Sequence, residues 1–551
     1  MKILLLTEML LLVAFNVFAQ KTVYLPNDFT NDPVVSKQWS WDRSYQSDNF
    51  VVFWGTKSLN FDAKNVCTNL EKSYDKFINE IGFCSDSSNT NLGKYKIIVM
   101  MNDTWDGGGP SGWAFGGDYD RVIGAMWVHP DATKDGYVLS HEFAHTLQCM
   151  ISIQENKKGG FINWEPGGFF WETHANFMRL QEYGNLAGED LPRWMGTSMF
   201  HLSSTRHHYC SFKWLLHLQN IDGIEMINRL WKESIANEHP LQTLKRLKNW
   251  DQSRLNNFIY DYAKREVTCD YPLNGLGTVI LNQRNQLTKN EPHYMWRFHT
   301  ILTRVDEANG RYVVPDEFAP QDYGYNLIPL HPTDDSRLVR IKFKGHTEVN
   351  NSAGWRYGFV AVDGTTPRYS PVCADDDGEI SFQMNDGETA LYLVVVGAPT
   401  SHTSYVWEPG WPKIKRYPYE LKIANAVPEG YQDDFRSQYK TSGRVHSNGG
   451  GWVASSASVA SSVYVGPQAI VLGTSKISGN VRIENTARVE NATVKDNVVI
   501  KGNANVWNGT YSGDAQIIEN AVLSYCFWKC CYKRERNGVG RYIWWISRCW
   551  R

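Results

Sequence analysis

Val138-Leu139-Ser140-His141-Glu142-Phe143-Ala144-His145-Thr146-Leu147-Gln148 carries two histidines four positions apart, with a glutamate directly after the first. On a helix, positions i and i+4 share a face, so His141 and His145 can converge on one metal ion. Glu142 sits one step round the helix, beside the ion but free to act on its water. A zinc ion in a dry site brings the pKa of bound water towards neutrality, and an adjacent carboxylate can then take the proton and hand it to a leaving amine. The flanks support a helix over 134–152, with Val138, Leu139, Phe143, Leu147 and Ile151 as its buried side.

A catalytic zinc site needs a third protein ligand and an open fourth position. Two carboxylates follow the pair: Glu165 and Glu172. Pro166-Gly167-Gly168 argues against a helix at Glu165. Glu172 falls near the start of a helical pattern over 169–184, and rigid elements hold ligands better than loops, so Glu172 is preferred. Its neighbours Phe169, Phe170 and Trp171 argue against full exposure. His174 projects to a different face and is the weaker alternative. Asn176, one turn on, is expected to orient a histidine ligand.

Working outward, residues 20–285 mix strands and helices. Phe50–Trp54, Tyr95–Met100 and Ile123–Val128 read as strands, 60–81 as a helix, and 209–265 as several more. Residues 290–427 contain short strand-like runs between turns, at 338–343, 357–362, 379–384, 390–396 and 419–423, which is the pattern of a β-sandwich. Its Trp355, Trp407 and Trp411 are candidates for glycan or protein contact, although core packing is the commoner fate of such tryptophans. A polar linker, 428–451, ends in Asn448-Gly449-Gly450-Gly451.

From Val453 an aliphatic residue returns every six positions: Val459, Val465, Val471, Ile477, Ile483 and Val489. After a one-residue deletion the series resumes at Val494, Ile500 and Val506. Small or apolar residues sit four later, from Ala457 through Val463, Ala469, Ser475, Val481, Ala487, Val498 and Ala504 to Thr510. One inward aliphatic and one inward small residue per hexad predict a triangular β-coil of about three turns over 452–525. Residues 526–551 break the pattern and hold four Cys, four Trp and seven Lys or Arg.

The 551 residues set a prior of two to four domains, and the near balance of 56 basic and 58 acidic residues, net -2, excludes a strongly basic nucleic-acid binder. At the N-terminus Lys2, the apolar run Ile3–Phe18 and the small residue Ala19 read as a signal peptide cleaved near Ala19. Export follows, to the medium, the cell surface or the periplasm. No later stretch is long and apolar enough to span a membrane. Ten cysteines permit disulfides in that compartment, but their spacing gives no framework.

His141-Glu142-Phe143-Ala144-His145 followed by Trp171-Glu172-Thr173-His174-Ala175-Asn176 resembles the gluzincin metallopeptidases, whose third ligand opens a glutamate helix of the form Glu-x-x-Ala. Phe50–Gly55, Trp113–Gly117 and Tyr262-Ala263-Lys264-Arg265 resemble an uncharacterised secreted bacterial family with a gluzincin-like domain; the likeness covers about 40–270. The spacing from His145 to Glu172 is longer than in thermolysin-like enzymes, so the turn between the helices must be enlarged. The resemblance implies one zinc ion held by His141, His145 and Glu172, Glu142 as general base, and a protein or glycoprotein substrate. It also implies an edge strand that pairs with substrate, with Ile123–Val128 either in that position or an ordinary internal strand, and a Tyr or His that stabilises the oxyanion, with Tyr209 first and His207 second. The hexads resemble the left-handed parallel β-helix of hexapeptide-repeat acyltransferases, but 452–525 contains no histidine, so a structural coil for homotrimer formation or attachment is expected there. The expected architecture is a multidomain α+β chain: a zincin-like α+β domain, a β-sandwich and a left-handed β-helix. The leading functional expectation is a secreted zinc metallopeptidase. The alternatives are an inactive zincin-like surface adhesin or glycan-binding protein, and a metal hydrolase acting on a non-peptide bond.

Overall fold

The computed structural model describes residues 20–524, apart from 58–59, 157–159, 162–163, 189, 205, 291–297, 406–413, 433–441, 503, 519–520 and the side chains of 164–166, 290, 522 and 524. The chain is a mixed α/β multidomain protein ending in a β-solenoid. The expected signal peptide, the tail at 526–551, and Trp407 and Trp411 lie outside the described residues.

The N-terminal sheet contains β1 (Ser44–Gln46), β2 (Phe50–Phe53), β3 (Ile97–Met101), β4 (Ala114–Tyr119) and β5 (Ile123–Val128) in the order β1-β2-β3-β5-β4. β2, β3 and β5 run parallel, and β4 returns antiparallel along β5. Of the two readings of Ile123–Val128, the edge strand is ruled out and the internal one holds: β5 is internal, and β4 is the edge. Ala-Phe-Gly-Gly-Asp-Tyr does not read as a strand because it has little apolar alternation and two glycines. Gly116 is there for close approach. A Cβ on it would lie 2.1 Å from the Glu142 carbonyl oxygen and 2.8 Å from His145 Cβ.

Against this sheet lie α1 (Ala63–Tyr74), capped by the Asp62 side chain, and α2 (Gly136–Met150), capped by Asp135. α2 is buried almost all round, by the sheet, by α1 and by α3 (Trp164–Glu182). The sequence expectation for α3 needs correcting: the helix begins at Trp164, so Pro166-Gly167-Gly168 lies inside its first turns. Proline is tolerated there because the first N–H groups of a helix have no intrahelical partner. Glu172 consequently sits in mid-helix. Beyond it come α4 (Lys213–Lys232), which is broken at Gly223 by a positive φ of 77°, and α5 (Gln252–Arg265).

Two five-stranded antiparallel sheets follow. Ile341, Phe343 and Leu421 of one face Phe359, Leu393 and Val395 of the other in a single core. The alternate residues Val360, Val394 and Val396 turn the other way and join the core of the N-terminal part, where α5 packs. This sheet is covered on both faces, which explains its nearly continuous apolar runs. Trp355 is fully buried, with Nε1 donating to the Tyr417 carbonyl, so it offers no contact surface. Tyr325–Pro332 is a strand that sequence reading omits because of its two prolines.

In the solenoid, parallel pairing stacks Val453, Val471, Val489, Val506 and Leu523. This makes about four turns, not three. The hexad slips once more by a residue after Val506, so Tyr511 and Ile517 also point inward while Thr510 is exposed. Ser475 is tolerated in the core because its hydroxyl donates to the Leu472 carbonyl at 2.7 Å. Residues read as linker contribute a strand, Gly443–Val445, that pairs with Trp452–Ala454. The cysteines among the described residues, Cys67, Cys84, Cys149, Cys210, Cys269 and Cys373, are all free thiols. No helix among the described residues is long and apolar enough to cross a membrane.

Candidate metal centre

α2 and α3 pack side by side, and three side chains meet between them. His141 Nε2 lies 3.1 Å from Glu172 Oε2 and 3.1 Å from His145 Nε2, and His145 Nε2 lies 3.3 Å from the same carboxylate oxygen. An ion bound tetrahedrally at about 2.0–2.1 Å spaces its ligand atoms by about 3.3 Å. The triangle therefore has the dimensions of three corners of such a site. Among the described residues it is the one group of His, Cys, Asp and Glu side chains close enough to hold a metal. Its donors, two imidazoles and a carboxylate, suit zinc. Glu165 lies in the first turn of α3, and its side chain is outside the described residues.

The protonation of the cluster follows from its crowding. Burial pushes His141 down to about 4. Burial acts the same way on His145, but the Glu172 hydrogen bond and charge outweigh it and raise it to about 9. Burial would raise Glu172, yet hydrogen bonds from both histidines hold it well below the usual carboxylate range. The triangle thus keeps one positive charge on its imidazoles at neutral pH, that of His145, in the place a cation would take. Glu142, buried beside it, is pushed up to about 7 by desolvation, against the opposing His145 charge and, more weakly, the Gly116 amide hydrogen bond.

Of the expected oxyanion partners, Tyr209 is brought to the cluster and His207 is not. The Tyr209 ring stacks on His141 at 6.3 Å, and its phenol hydrogen bonds Glu172. Burial, then the Glu172 charge, raises its pKa. Two α3 residues one turn apart pin the backbone that carries it: Thr173 donates to the His208 carbonyl at 2.6 Å and Asn176 to the Tyr209 carbonyl at 2.6 Å. Asn176 therefore holds the tyrosine loop and Asp190, not a histidine ligand, correcting the sequence expectation. His207 is buried, with Nδ1 bonded to Thr197 Oγ1 at 2.9 Å, and desolvation lowers it to about 3.

Two contributors escaped the sequence reading. Gln148, 2.9 Å from His145 Nδ1, is the histidine's hydrogen-bond partner and was visible as the i+3 neighbour on the same helix. Gly116 had no such signal. Trp171 stacks on His145 at 6.2 Å and walls the centre. His174 is not a ligand: it is buried among Phe83, Phe170 and Trp231.

No curated protein matches the chain. The profile of a family of unknown function, DUF6055, matches residues 15–430, which is well over half of the chain and includes the whole cluster, and the chain belongs to that family.

Proposed function

We propose that the protein is a secreted, zinc-dependent peptidase of the gluzincin type, with a zincin-like N-terminal domain. The observation that carries this reading is the triangle of His141 Nε2, His145 Nε2 and Glu172 Oε2 with the buried Glu142 carboxyl beside it. Zinc, when bound, supplies Lewis acidity towards a carbonyl and an acidified water. His141, His145 and Glu172 hold it. Glu142, poised near 7, takes the water proton and returns it to the leaving amine. The Tyr209 hydroxyl donates a hydrogen bond to the developing oxyanion. The outer edge of β4, the last strand of its sheet, pairs with an extended peptide through backbone groups, which requires no particular side chain. A protein or glycoprotein substrate follows. The apolar, Lys-led N-terminus supports export, and the solenoid supports attachment or assembly into a trimer.

Glu142→Gln tests the reading. The variant should keep zinc and lose peptide cleavage by about 100-fold or more. Cleavage at the wild-type rate in that variant would rule out the proposed general base.

A further inference from the structure

We infer that Gln148 is a positioning residue that fixes the proton on His145 Nδ1 and so aims the Nε2 lone pair at the metal. The side chain is about 1% exposed and makes three hydrogen bonds. Its amide oxygen lies 2.9 Å from His145 Nδ1, and its amide nitrogen lies 3.0 Å from the Trp171 carbonyl oxygen and 3.1 Å from His174 Nδ1. The orientation of the amide is forced. The Trp171 carbonyl only accepts, so the group facing it must be the NH2. The second N–H then goes to His174 Nδ1, which accepts. The remaining face of the amide is its oxygen, which only accepts, so His145 Nδ1 must donate. With Nδ1 committed to its proton, the nitrogen that yields a proton to a cation, and so supplies the lone pair, is Nε2.

The same reasoning gives His174 its place. Its Nδ1 acts as an acceptor, so its Nε2 bears the proton. That atom is buried without a hydrogen-bond partner and lies among aromatic rings, Phe83 at 4.7 Å and Trp231 at 5.1 Å from the imidazole. Glu172, Trp171 and His174 all lie on α3, so this helix supplies one ligand and also the two acceptors that orient the other helix's glutamine. His141 has no counterpart: its Nδ1 is buried and has no partner. The two histidines are therefore unequal, with His145 anchored and His141 held by packing.

The consequence for metal affinity rests on the zinc reading; the hydrogen bond itself does not. The test uses the full chain as wild type, Gln148→Leu and Gln148→Glu. Zinc affinity is measured by competition with a chromophoric chelator. In metal-free protein labelled with 15N-histidine, the ring Nδ1–H signal of His145 is followed. Gln148→Leu should weaken zinc by about 10–100-fold and lose the protected ring signal. Gln148→Glu keeps an acceptor for His145 Nδ1 but sets its second oxygen against the Trp171 carbonyl, so it should keep the ring signal while recovering only part of the affinity. A leucine variant with wild-type affinity and an unchanged ring signal would overturn the inference, as would a glutamate variant that loses the ring signal. If wild type binds no zinc, the functional reading fails, while the ring signal still decides the role of Gln148.

Discussion

Gly116→Ala should be far more damaging than an alanine on a strand surface normally is. An added methyl would lie 2.1 Å from the Glu142 carbonyl oxygen, 2.8 Å from His145 Cβ and 3.0 Å from the Thr146 nitrogen. All three are fixed atoms of α2, so no side-chain rotation relieves the clash. Contacts under 3.0 Å are essentially never made by a real Cβ, so β4 must retreat by roughly 1 Å, at a cost of about 1–3 kcal/mol. The retreat also lets water reach Glu142, whose carboxyl should fall from about 7 towards its ordinary 4.5. A displacement of this size beside a reacting group can remove about 100-fold in turnover. The assay is urea unfolding of Gly116→Ala beside Gly117→Ala, with the pH–rate profile of each. At Gly117, on the other face of the strand, the nearest atom is Trp127 Cζ3 at 3.3 Å, a contact that can give. A Gly116→Ala protein as stable as Gly117→Ala, with an unshifted acid limb, would refute the close-approach reasoning.

Zinc binding should release one proton per ion between about pH 4 and pH 9, because His145 keeps its second ring proton up to about 9 while His141 loses its second near 4. Affinity should rise about tenfold per pH unit across that window and level off above it; chelator competition at several pH values reads the slope, and a flat response would contradict it. In the solenoid, Ile483→Ala removes a fully buried side chain and should cost about 2–5 kcal/mol. Since each turn contacts only its neighbours, that loss should appear as an earlier solenoid transition in hydrogen exchange, with protection of α2 unchanged; loss of protection in α2 would show the two units to be coupled.

The parts legible in the sequence were those set by periodicity. The i, i+4 pair of histidines, the glutamate on a following helix and the six-residue repeat all project a spatial relation directly onto spacing. What stayed hidden depends on contacts between distant segments. β4 is a strand because a bare glycine backbone can press against α2, and neither the glycines nor the polar Asp118 advertise that. α3 starts earlier than expected because proline and glycine are admissible in a first helical turn. Tyr325–Pro332 takes its place through pairing with Leu391–Val396 despite its prolines. The separation of Tyr209 from His207 turned on which way each side chain leaves one loop, and Thr173 and Asn176 decide that from another helix.

The most direct test is the zinc content of the purified full chain after zinc loading and exhaustive dialysis, measured by elemental analysis for wild type, His145→Ala and Glu172→Ala. The triangle predicts about one zinc per wild-type chain and less than about a tenth of that in each variant. Wild-type protein without zinc, or variants that retain a full equivalent, would contradict a metal centre built from these three residues.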